Sequence, residues 1–83
     1  MKKFKIMLAS IEDVKGFTAI MNDEDCDADI VSGKYVVDAK SIMGIFSLDL
    51  TAPLELAVHS DDCKKLEEKL QKYIVSRISK EHY

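Results

Sequence analysis

The chain has 83 residues, 47% of them hydrophobic and 33% charged, and a formal net charge of −3 at pH 7. Residues 1–83 are expected to form one small α+β domain that buries about 60–65% of the surface its unfolded form exposes; the composition excludes a disordered polymer. The acidic balance argues against direct nucleic-acid binding, which needs a basic face to displace counterions, and no apolar run approaches the ~20 residues of a membrane span.

In chain order, Lys3 to Leu8 alternates charged and apolar residues, with Phe4, Ile6 and Leu8 on one face of a half-buried strand. Ser10 to Asp13 supplies helix-start residues. From Val14 the apolar spacing becomes helical, through Phe17, Ile20 and Met21. Gly16 weakens that helix by up to ~1 kcal/mol relative to alanine, so the helix must lean on tertiary packing. Asn22 to Asp29 is an acidic connection. Ala28 to Ser32 and Lys34 to Val37 are β-prone runs around Ser32-Gly33 and predict a hairpin.

Ser41 stands before the apolar run Ile42-Met43-Gly44-Ile45-Phe46, as an N-cap serine does. Such a short helix has one side for the core, which leaves Met43 and Phe46 as candidates for a partly exposed apolar patch. After a break at Asp49 to Pro53, Leu54, Leu56 and Val58 alternate with Glu55, Ala57 and His59 as a fourth strand, Pro53 fitting its start. Ser60-Asp61-Asp62 opens a last helix, with Leu66, Leu70, Tyr73, Ile74 and Ile78 as its apolar stripe. The predicted order is β-α-β-β-α-β-α: a four-stranded antiparallel sheet with three helices on one face.

The basic Met1-Lys2-Lys3 is followed by no signal-peptide core or cleavage site, so a cytoplasmic location is expected. Cys26 and Cys63 give neither a metal spacing nor a disulfide framework, and both are expected as free thiols. A calcium loop on Asp23, Asp25 and Asp27 fails, because Ala28 and Lys34 stand where glycine and a bidentate glutamate are needed. Cys63 has a helix start to lower its pKa and Asp61 and Asp62 to raise it, which favours an inert thiol. His59 and His82 read as surface histidines. No metal or cofactor site is predicted.

Lys40-Ser41-Ile42-Met43-Gly44, followed by an apolar pair and Ser47-Leu48, resembles the regulatory-serine region of HPr, the small phosphocarrier of the bacterial sugar phosphotransferase system. The specific match covers about Asp38 to Leu48, while length and element order extend it over nearly the whole chain. The resemblance implies an open-faced β-sandwich, sugar-transport partners, and no catalytic turnover. In the family, phosphate is carried on a histidine just after the first strand, followed by alanine, arginine and proline. Counting back from Ser41 without gaps puts that position at Ser10, followed by Ile11, Glu12 and Asp13, and no histidine precedes His59. Two acids then replace the phosphate-pairing cation, so histidine phosphotransfer is not expected.

In many Gram-positive members the serine matching Ser41 is phosphorylated by an ATP-dependent HPr kinase, and the product acts as corepressor for a catabolite-control transcription factor. The resemblance therefore implies Ser41 as a regulatory phosphorylation site and Ile42, Met43 and Phe46 as a docking patch. The catabolite-repression paralogue of HPr similarly lacks the histidine and keeps the serine. Asp49-Leu50-Thr51 departs from the glycines that follow this motif in the family. Two other readings stay open: a small-molecule- or subunit-binding α/β plait, and a degenerate paralogue or structural interaction module without phosphate chemistry, which would keep the apolar patch with Ser41 unmodified; taken without the family, Ser41 is a helix cap and its apolar neighbours are core.

Overall fold

A computed structural model describes residues 1–78. The elements are β1 (Lys2–Ile6), α1 (Ile11–Asp23), β2 (Ala28–Ser32), β3 (Tyr35–Asp38), α2 (Ile42–Phe46), β4 (Leu54–Val58), α3 (Lys64–Lys69) and β5 (Ile74–Ile78). The strands form one antiparallel sheet in the order β3-β2-β4-β1-β5. Among the described residues, no helix is long and apolar enough to cross a membrane.

The alternation read along β1 and β4 sets the two faces. Phe4 and Ile6 of β1 stand opposite Leu56 and Leu54 of β4, and Ile30 of β2 also faces Leu56. All five are buried in one cluster with Val14, Phe17 and Met21 of α1, Ile45 of α2 and Leu66 of α3. The three helices therefore share one sheet face. Each fully buried large apolar side chain contributes roughly 1.5–3 kcal/mol. On the other face Lys3 pairs with Glu55 at 3.7 Å, as a half-solvated sheet allows.

β2 and β3 are joined by Gly33 and Lys34, with Ser32 opposite Tyr35. Gly33 has φ +61°, and no residue other than glycine has positive φ among those described, so the turn is of the II′ kind that starts on glycine. It lies one residue beyond the predicted Ser32-Gly33.

The sheet has five strands where sequence periodicity predicts four, and the predicted last helix is two elements. α3 covers only Lys64–Lys69; a turn carries Leu70 and Tyr73 into the core, and the chain then extends as β5 beside β1. Leu66, Leu70, Tyr73, Ile74 and Ile78 do fit a helical stripe, but Ile74 and Val75 are β-branched and lie near an open sheet edge. With four strands, β1 would expose a row of unpaired N–H and C=O groups. β5 supplies their partners: Lys3 faces Ile78, Phe4 faces Arg77 and Lys5 faces Ser76, with a register shift before Ile6 and Ile74. The Met7 amide extends the junction, donating to the Tyr73 carbonyl at 2.9 Å. His82 lies outside the described residues.

Candidate functional site

Two serine caps define the ends of interest. Ser10 follows β1 after a three-residue connection and caps α1. Its backbone is extended, as a residue entering a helix requires, and its hydroxyl accepts from the Asp13 amide at 3.2 Å. The Asp13 carboxylate reaches back and accepts from the Ala9 amide at 3.0 Å. Glu12 and Asp13 occupy the first turn, where the unpaired amides concentrate positive potential. That potential is already met by the chain's own carboxylates. A phosphoryl dianion approaching Ser10 would meet two negative side chains.

Ser41 is held from both sides. Its amide donates to the Asp38 carbonyl at 3.0 Å, and its carbonyl accepts from Ile45 at 3.1 Å, opening α2. The Asp38 carboxylate accepts from the Lys40 amide at 2.9 Å, which fixes the turn out of β3. From α1, the Asn22 side-chain amide donates to the Lys40 carbonyl at 3.2 Å and to the Thr18 carbonyl at 2.9 Å. The half-buried Ser41 hydroxyl accepts from the Gly44 amide at 3.1 Å. α2 has five residues, so its dipole is small. The hydroxyl is bonded to that one amide, and Lys40, the preceding residue, has its ammonium 3.7 Å from Asp27.

The three residues of the expected docking patch are not equivalent. Met43 is 75% exposed and Phe46 is 39% exposed. Ile42 instead packs partly against the core beside the fully buried Ile45. Past α2, the Ser47 hydroxyl donates to the Gly44 carbonyl at 2.6 Å. Asp49 turns back on Thr51, accepting from its hydroxyl at 2.5 Å and its amide at 3.0 Å. These two bonds, the hydroxyl's first, hold the Asp49 carboxyl below its ordinary pKa. The acid beside the patch is therefore already engaged within the chain.

Other polar residues found partners that no local spacing announces. His59 follows β4, and its Nε2 lies 2.8 Å from Asp29 on β2. Asp29 itself stands directly across from Asp38 of β3. In the acidic connection, Lys69 of α3 bonds Glu24 and lies 3.6 Å from Asp23. The bond to Glu24 is the main cause that raises the Lys69 pKa. Burial pushes the Cys63 thiol up, with Lys2 opposing. The link visible in sequence was only composition: many acids in one connection, with lysines in the last helix. Among the described residues, no group of three or more histidine, cysteine and acidic side chains is placed to hold a metal ion.

An antiparallel sheet with three helices on one face, a serine cap after the first strand and another after the third, defines an α+β open-faced sandwich. The fold is that of HPr. It is similar to the crystal structure of HPr-C-His from Thermoanaerobacter tengcongensis, with a TM-score of 0.73, 23% sequence identity, and coverage of 87% of this chain and 89% of that one. No family model and no curated protein matches the sequence significantly.

Proposed function

We propose that this chain is an HPr-like regulatory or adaptor protein of the bacterial sugar phosphotransferase system, acting in the cytoplasm through Ser41 and without histidine phosphocarrier activity. The observation that supports this reading best is the arrangement around Ser41. A capping serine sits beside Met43 and Phe46, two apolar side chains exposed to solvent on an HPr-like fold. At the other cap, Ser10 stands where a phosphate-accepting imidazole would be needed, and the acids Glu12 and Asp13 follow it before the cation Lys15.

In this reading an HPr kinase transfers the γ-phosphoryl group of ATP to the Ser41 hydroxyl. The product carries about two added negative charges next to Met43 and Phe46. The Gly44 amide can bond a phosphate oxygen in place of the hydroxyl, so the fold need not change. A partner such as a catabolite-control transcription factor would read the phosphate with basic side chains and the exposed pair with an apolar pocket. The protein itself turns over no substrate and needs no cofactor; it is modified and then recognised.

Intact-mass spectrometry after two incubations tests this. One contains phosphoenolpyruvate and enzyme I, the other ATP and HPr kinase. One phosphate gained only in the ATP reaction, and absent in Ser41→Ala, is the expected result. Phosphate gained from phosphoenolpyruvate overturns the loss of carrier activity. No phosphate from ATP overturns the role of Ser41.

A further inference from the structure

The connection between α1 and β2 and the start of α3 each carry a cysteine, and the fold packs both against the same hydrophobic cluster. β2 and β4 pair through Ala28 and Val58, and the His59 amide extends the pairing by donating to the Asp27 carbonyl at 2.8 Å. Cys26 immediately precedes Asp27, and Cys63 lies just beyond His59 at the N-cap of α3. Cys63 is buried within the core cluster, while Cys26 is half-buried and packs against that cluster.

We propose that Cys26 and Cys63 are a reversible redox pair, which a peroxide closes into an intramolecular disulfide. The differing access of the two sulfurs sets the order of events. Cys26, reachable from solvent, attacks one peroxide oxygen as the thiolate, becoming a sulfenic acid and releasing hydroxide. Cys63 then attacks the Cys26 sulfur and loses its proton; the S–O bond breaks and the departing hydroxide leaves as water. Two thiols and one hydrogen peroxide give one disulfide and two waters, the two electrons passing from the sulfurs to the peroxide. Burial suppresses the Cys63 thiolate, so Cys63 resolves and does not initiate.

The surroundings permit the bond. Residues 24–27 have no regular secondary structure, so Cys26 can adjust to the narrow distance and dihedral range that a disulfide demands. Cys63 makes no side-chain capping bond, so oxidation removes no helix cap. The product ties the α1–β2 connection to the start of α3.

The test is intact-mass spectrometry of the folded protein after treatment with hydrogen peroxide, followed by protease mapping without reductant. The expected product is a monomer lighter by two hydrogen atoms, with the Cys26 peptide linked to the Cys63 peptide and both released by dithiothreitol. Cys63→Ser should stop at a Cys26 sulfenic acid that dimedone traps, and Cys26→Ser should leave Cys63 unoxidised. Sulfinic or sulfonic acid on Cys26 of the wild-type chain without any linked peptide overturns the proposal. Linkage found only between two chains does the same, and neither result depends on how well a variant folds.

Discussion

The hydroxyl of Tyr73 lies over Gly16, in the space that a side chain at residue 16 would fill. Tyr73 is buried and meets Phe17 edge to face, ring centroids 5.9 Å apart at 85°. The glycine that weakens α1 thus admits the residue that ends the α3 turn and leads into β5. Local helix propensity yields to tertiary packing at this contact.

Gly16→Ala should therefore destabilise the protein by about 1–3 kcal/mol through overpacking, although alanine improves the helix by up to about 1 kcal/mol. Tyr73→Phe removes the overlapping oxygen and leaves the ring, whose nearest other carbon lies 3.7 Å from the added Cβ. In urea unfolding, Gly16→Ala should cost less in the Tyr73→Phe background than in the wild type. Equal costs in both backgrounds would remove the hydroxyl as the cause.

Ser41 has a structural duty apart from the regulatory one proposed for it. Ser41→Ala leaves the Gly44 amide without its partner and should cost about 1 kcal/mol. Ser41→Asp keeps an acceptor at the cap and should remain within about 0.5 kcal/mol of wild type. Chemical denaturation of the three proteins measures both differences. A Ser41→Ala variant as stable as wild type would show that the bond contributes nothing.

β1 lies between β4 and β5, so its amides should be protected from hydrogen exchange along both edges. Deuterium exchange followed by NMR should find Lys3 to Ile6 slowed without an alternating gap. Ser76→Pro, which places a residue lacking N–H opposite Lys5, should speed exchange on the β5 side of β1. Fast exchange at alternate β1 residues in the wild type would mean that β5 does not pair there.

Asp49 makes stability depend on acid pH with a defined sign. Its folded pKa lies below the ordinary value of 3.8, so the unfolded chain takes up the proton first as pH falls. The stabilisation is complete above that value and is lost as pH drops through the lower folded pKa. Asp49→Asn, which mimics the protonated side chain, should melt below wild type at neutral pH. The gap in Tm should close as pH falls through and below the ordinary value of 3.8. A gap that stays constant over that fall would rule out the carboxylate as its source.

Much of the candidate site is local chemistry and can be read from the order of residues. A serine before Ile42-Met43-Gly44-Ile45-Phe46 caps a short helix, and one turn cannot bury four large side chains against a single core. The exposure of Met43 and Phe46 follows. Ser10, placed as the position of the missing histidine by counting alone, does stand between the first strand and the first helix. The partners of these groups were not legible. Asn22 holding Lys40, and Asp29 meeting His59, join residues 18 and 30 positions apart, and spacing along a chain carries no signal for such contacts.

Local sequence is enough for the α+β class, the alternating faces of β1 and β4, the serine caps and the absence of a histidine before His59. Those features follow from side-chain period, hydrogen-bonding chemistry and composition, which act over a few residues. Long-range pairing set the fate of residues 74–78, whose apolar spacing fits a helix and whose β-branched residues fit a strand. The free edge of β1 offers that segment a row of backbone partners, and pairing there makes it a fifth strand. Tertiary packing likewise turned Gly16 from a weakness of α1 into the site that admits Tyr73, because a close contact between distant segments depends on where the whole chain goes.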